Sequence, residues 1–162
     1  MVKNEIYEID VLESQKLWAK NIIDIGNLYV NKGEYKTKAY NFVKKFYAYE
    51  ISNVLFKPTL ASKNQFRYTF EDALSYFIGG SIKEDKGFAL KPWNNIRFGE
   101  KKIVIMDQIA FAMGNYYFQS IGQKEEIKVE YTFGYLKGSD GQLVINIHHS
   151  SLPYKNDHSN IG

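Results

Sequence analysis

Cysteine is absent from the 162-residue chain, which excludes disulfides, thiolate nucleophiles and cysteine–zinc centres together. The absence leaves the compartment open, because a cysteine-free chain is at ease in either redox environment. A marked excess of either charge is missing as well: 21 basic and 18 acidic residues are interspersed and leave a net +3. Without a basic run, nucleic acid is not an expected partner. No apolar run approaches the roughly 18 residues of a membrane span, so no membrane partner is expected. The opening MVKNEIYEID carries no apolar signal-peptide core. The expected setting is cytoplasmic, or periplasmic if a leader is cleaved.

What is present is aromatic. Thirteen Tyr and eleven Phe need a core, a lined pocket or a subunit contact to hide their surface. The length suits one domain, expected over residues 1–154, with a polar tail over 155–162. A domain of this size buries roughly 68–70% of its unfolded surface and needs no staple. Leu12, Leu17, Trp18, Ile22, Ile25 and Tyr29 recur at helical steps and predict a helix from Asp10 to about Val30, ended by Asn31 and Gly33. A second helix is expected from about Glu34 to Tyr49, with Ala39, Phe42, Val43 and Phe46 inward. NVLFKPTLAS reads as a short extended piece, with Pro58 excluding a helix interior. TFEDALSYFIGG predicts a third helix, with Thr69 and Asp72 as a capping pair and Gly79–Gly80 as its stop.

Beyond Gly80 the period becomes two. Strands are expected near Asn95–Phe98, Lys102–Met106, Ile109–Gln119, Glu126–Leu136 and Gln142–Ser151, with QSIGQKE and KGSDGQ as turns. Helices first and an antiparallel meander afterwards imply an α+β fold with helices over one sheet face. Strict alternation in the last strand puts Leu143, Ile145, Ile147, His149 and Ser151 on one face and Val144, Asn146, His148 and Ser150 on the other. The first set is apolar until its final pair, so it is expected to face the core, with His149 and Ser151 where that core opens. A bulge would reverse the assignment.

NIHHSSLPY, at the end of this strand, contains two of the three histidines. Neighbouring strand residues point to opposite faces, so His148 and His149 are poorly placed to chelate one ion. The third, His158, lies in the tail, and no HExxH-like spacing adds carboxylates. Each residue of interest also has an ordinary explanation: a satisfied strand-end histidine, a core Tyr76, a turn Thr59, a surface Arg67. Spacing alone does not yield a function.

Longer strings do. VLFKPTLAS, QFRYTFEDALSYFIGG, EDKGFALKPWNNIRF, AFAMGNYYF, VEYTFGYLKGSDGQL and INIHHSSLPY together resemble the iota class of carbonic anhydrases, whose domain is similar to the calmodulin-dependent kinase association domain. The resemblance runs from about Gln15 to Tyr154. It implies a cone-shaped α+β barrel of the ketosteroid isomerase and nuclear transport factor kind, with helices packed on a strongly curved antiparallel sheet, as a homodimer. It also implies reversible hydration of carbon dioxide to bicarbonate. Some members are described with zinc or manganese and others without metal; the expectation set here is no cofactor. By motif, the metal-free site falls on Thr59, Tyr76 and one histidine–serine pair. Facing favours His149 and Ser151 over His148 and Ser150, with the histidine as proton acceptor.

Two other functions remain open on the sequence. One is a non-catalytic oligomerisation or small-molecule-binding module of the same fold, and a sealed apolar interior would favour the scaffolding role. An isomerase for a larger apolar substrate needs a buried acidic base, for which Asp107 is the best spare residue.

Overall fold

The protein is described by a computed structural model covering residues 5–156; His158 and most of the expected tail lie outside the described residues. Helix α1 spans Glu8–Val30, α2 Tyr35–Phe46 and α3 Phe70–Ile78. The strands are β1 Leu55–Lys57, β2 Trp93–Met106, β3 Ile109–Ser120, β4 Ile127–Lys137 and β5 Leu143–Ser151.

Helix α1 buries Val11, Gln15, Trp18, Ala19, Ile22, Ile25 and Gly26, a stripe at three- and four-residue steps that lies along the sheet. Asp10 accepts the Tyr7 N–H at 2.8 Å in the first turn, where a carboxylate also suits the helix dipole. Gly26 is required by close approach: a Cβ there would sit 2.8 Å from the carbonyl oxygen of Ala89. That carbonyl belongs to a short 3-10 helix, Phe88–Leu90, which the sequence reading does not contain. Thr69 caps α3 by accepting the Asp72 N–H at 3.2 Å, and Gly79 ends it at φ 76°. Helix α2 is shorter than expected, because Tyr47 turns extended and forms a bridge to Ile145.

The sheet order is β1-β5-β4-β3-β2. The meander β2 to β5 is antiparallel, as expected, but β1 joins the edge parallel to β5. The sheet is therefore mixed. Two strands expected near residues 95–106 are one continuous strand, β2, bent at a bulge between Phe98 and Lys101. Gly114 lies opposite that bend, where a Cβ would collide with the Glu100 carbonyl. Such bulges add twist and curl the sheet around α1. Trp18 fills the concavity, with Phe42, Phe98, Tyr116, Phe118 and Phe133 within 6.5 Å of its ring centre.

Two sequence expectations change at this level. Asp107 occupies the β2–β3 turn at φ 52° and is exposed, so it cannot act as a buried base. Arg67 is not a surface charge but fully buried. Its guanidinium donates to both Asp85 carboxylate oxygens at 2.6 and 2.7 Å, while Ser75 donates a third bond to Asp85 at 2.7 Å. Leaving either charge alone in such an interior costs about 3–5 kcal/mol. The pair thus pins the segment before α3 to the loop after it.

Candidate active site

The last strand changes phase before it reaches the histidines. Tyr135 pairs with Ile145, whereas Gly134 pairs with Ile147, so Asn146 has no partner across the ladder. This bulge swaps the faces. Leu143 and Ile145 point inward, and beyond Asn146 the buried residues are His148 and Ser150. His149 is exposed, and Ser151 donates outside the core to Glu130 at 3.1 Å. The expectation that His149 and Ser151 face the pocket is therefore corrected: the pair that faces inward is His148 and Ser150.

Neighbouring elements bring hydroxyl groups to these two residues. Parallel β1 places Phe56 beside His148 and Lys57 beside His149, and the turn after it delivers Thr59. Thr59 Oγ1 lies 2.6 Å from Ser150 Oγ. The Tyr116 hydroxyl, from β3, is 2.5 Å from Ser150 Oγ and 3.2 Å from His148 Nε2. The other ring nitrogen, Nδ1, is 2.9 Å from the Tyr47 hydroxyl, which accepts the Trp18 indole N–H at 3.2 Å. Tyr76, on α3, accepts the Leu60 N–H at 3.3 Å beside Thr59. Tyr47 and Tyr116 are inner members of this cluster that the sequence reading did not single out. The string AMGNYYF contained Tyr116, but nothing in its spacing distinguished that ring from any other core aromatic.

A cavity of about 710 Å³ reaches this end of the core. Thr59 and Tyr76 line it, with Phe88, Trp93, Phe118 and Val129 among its apolar walls. Ser150, Tyr116 and His148 form the layer behind, joined to the cavity through Thr59. Glu84 holds the Thr59 loop in place by accepting backbone N–H bonds from Ser62, Lys63 and Asn64. Those donors hold its carboxyl down to about 2.

Burial sets the protonation states. It pushes the phenols of Tyr47, Tyr76 and Tyr116 above their usual range, so they remain neutral and able to donate. It also drives the His148 imidazole down to about 3, with the neighbouring His149 acting in the same direction. His148 lies between Phe56 and Phe133, at ring-centre distances of 4.8 and 4.2 Å. It is a neutral ring with both nitrogens occupied, unsuited to the expected role of proton acceptor near neutrality.

Zinc or manganese does not fit these residues. Among the described residues no group of three or more His, Asp or Glu side chains is placed to hold a metal ion. The ring nitrogens of His148 are already paired with two phenols. Two of the described acids line the cavity: Asp85 is committed to Arg67 and Ser75 and Glu84 to the backbone N–H groups of Ser62, Lys63 and Asn64, so neither is a free base for an isomerase. The polar end of the cavity also departs from the sealed interior expected of a purely scaffolding module. Among the described residues no helix is long and apolar enough to cross a membrane.

The architecture is that of the cone-shaped α+β class. A nuclear transport factor 2-like protein of unknown function from Pseudomonas putida KT2440 superposes with a TM-score of 0.66 at 11% identity, over 96% of this chain and 92% of that one. A ketosteroid isomerase-like structure from Parabacteroides distasonis gives 0.52 at 19% identity, over 73% and 78%. Far greater likeness connects the chain to a single family. The family model for metal-independent carbonic anhydrase matches residues 9–152. A metal-independent carbonic anhydrase of Nostoc sp. strain PCC 7120 is 39% identical over 160 residues, 96% of this chain and 78% of that protein. The crystal structure of a cyanobacterial iota-carbonic anhydrase complexed with bicarbonate superposes with a TM-score of 0.91 at 38% identity, over 96% of this chain and 98% of that one. The chain belongs to the metal-independent, iota-class carbonic anhydrases.

Proposed function

We propose that carbon dioxide is hydrated at the end of the cavity formed by Thr59 and Tyr76, with Ser150, Tyr116 and His148 as the layer that orients them. The observation that carries this reading is the unbroken hydroxyl–imidazole chain ending on a cavity wall. The bicarbonate bound in the cyanobacterial relative supports the same class of ligand here.

The chemical obstacle is the acidity of water. In zinc-dependent carbonic anhydrases the metal lowers the pKa of bound water from 15.7 to about 7. Such an ion does not fit the residues here and, among the described residues, the acids lining the cavity are already paired, so the proton must move as the bond forms. Water oxygen attacks the carbon, and one C=O electron pair moves onto its oxygen. A water proton passes to Thr59 Oγ1 while the proton of Thr59 passes to that oxygen. The product is carbonic acid, which ionises to bicarbonate in the cavity water, and Thr59 is regenerated. Tyr76 donates to the second oxygen. Donors fixed in advance in this way contribute about 3–4 kcal/mol each, and the apolar walls suit a small, weakly polar substrate.

Stopped-flow carbon dioxide hydration tests the reading. After exhaustive chelation the rate is expected to equal that of the zinc- or manganese-supplemented protein, and Thr59→Val is expected to lower kcat by about 10²–10³. Activity only in the supplemented samples, or an unchanged Thr59→Val enzyme, contradicts it.

The same reading includes a homodimer in the cytoplasm. Support for the dimer comes from the outward face of β2 and β3, where Val104, Met106, Ile109 and Met113 are exposed, an apolar group that a second copy would cover. Sedimentation at micromolar concentration is expected to give twice the chain mass, and a monomer contradicts it.

A further inference from the structure

The hydrogen bonds behind Thr59 can run in two directions. In the first, Tyr47 O–H donates to His148 Nδ1, and His148 Nε2–H donates to Tyr116. Tyr116 then donates to Ser150, and Ser150 donates to Thr59, whose own proton points into the cavity. In the second every bond is reversed: Thr59 donates inward, His148 accepts at Nε2, and Nδ1–H donates to Tyr47. All the contacts concerned are between 2.5 and 3.2 Å. Distances alone do not choose between them.

Trp18 does. An indole nitrogen is a donor only, and it donates to the Tyr47 oxygen at 3.2 Å. In the second direction Tyr47 would accept from both Trp18 and His148, and its own proton would have no acceptor. Tyr47 is only 2% exposed, and among the described residues it makes no other side-chain hydrogen bond. A buried donor without an acceptor is what folded proteins avoid. The first direction leaves no buried proton of the chain without an acceptor, and only that of Thr59, which faces the cavity, is unpaired.

We propose that Tyr47, its oxygen capped by the Trp18 indole, holds His148 as the Nε2–H tautomer and so directs the chain toward Thr59, which makes Tyr47 a positioning residue for the site. His148 then acts as a fixed donor that orients Tyr116, and the cavity is met by a hydroxyl proton. The structural part stands on the hydrogen-bond geometry; its importance for turnover rests on the hydration site lying at Thr59.

Long-range nitrogen–proton NMR of the 15N-labelled full chain reads the tautomer directly, with His148 assigned from the signal lost in His148→Gln. Wild type is expected to show an unprotonated Nδ1 and a protonated Nε2. A protonated Nδ1 in wild type overturns the proposal whether or not any variant folds. In Tyr47→Phe the ring is expected to populate both tautomers, with kcat about tenfold lower, the worth of one neutral hydrogen bond, and KM unchanged. An unchanged spectrum and unchanged kcat overturn it. If instead Thr59→Val and Tyr47→Phe both keep full activity while the tautomer shifts, the proposed hydration site fails and the hydrogen-bond direction survives.

Discussion

Between the rings of Phe56 and Phe133, an imidazolium would lose its water without gaining a counter-charge. His148 therefore keeps a native pKa of about 3, against 6.5 for an unburied histidine. From about pH 3 to 6.5 the unfolded chain binds the proton and the native state does not. Stability attributable to this residue is thus complete above about 6.5 and falls as pH drops toward 3. Thermal melts across that window should decline more steeply for wild type than for His148→Gln. Parallel slopes would mean that His148 is not buried as a neutral ring. Thr59 and Tyr76 could be assigned from the resemblance of their strings, and both stand on the cavity wall. Arg67 could not be read this way, because its burial depends on Asp85, eighteen residues along the chain, and no local pattern announces such a pairing.

At the scale of elements, the β5 bulge decides which histidine enters the core. Helical periods gave α1, α2 and α3 to within a few residues, and period-two runs gave the meander. Alternation failed only where it was carried through Asn146. A signal did exist: Gly134 interrupts the apolar strand YTFGYL, and an isolated glycine inside a strand often marks a bulge or a close backbone approach. Here a Cβ on residue 134 would lie 2.8 Å from Asn146 Oδ1 and 3.0 Å from Ile147 Cβ. The bulge and the glycine require each other. Gly134→Val should destabilise the fold by about 1–3 kcal/mol, as overpacking does. It should also reduce carbon dioxide hydration by more than the loss of folded protein explains, because the His148–Ser150 phase depends on this bulge. Circular-dichroism melts beside stopped-flow rates separate the two effects, and equal losses would disconnect the bulge from the site. The extended piece in NVLFKPTLAS was legible and contains β1, but its parallel pairing with β5 and the 3-10 helix were not, since segments of three residues carry too little periodicity to announce a partner.

For the whole molecule, one fold serves proteins of quite different kinds, so architecture alone does not determine chemistry. Here it supplies a curved sheet with an aromatic lining, and within it a line of neutral hydroxyls and one imidazole running from Thr59 toward Trp18. In the proposed site that line takes the place of the metal ion of zinc-dependent carbonic anhydrases: it fixes polar groups in advance rather than holding a standing hydroxide. The most direct test compares Ser150→Ala with Ser151→Ala in chelated carbon dioxide hydration. Ser150→Ala is expected to lose about tenfold or more in kcat, the worth of the hydrogen bond that holds Thr59, while Ser151→Ala keeps the wild-type rate. A Ser151→Ala enzyme that loses activity while Ser150→Ala retains it would contradict the account.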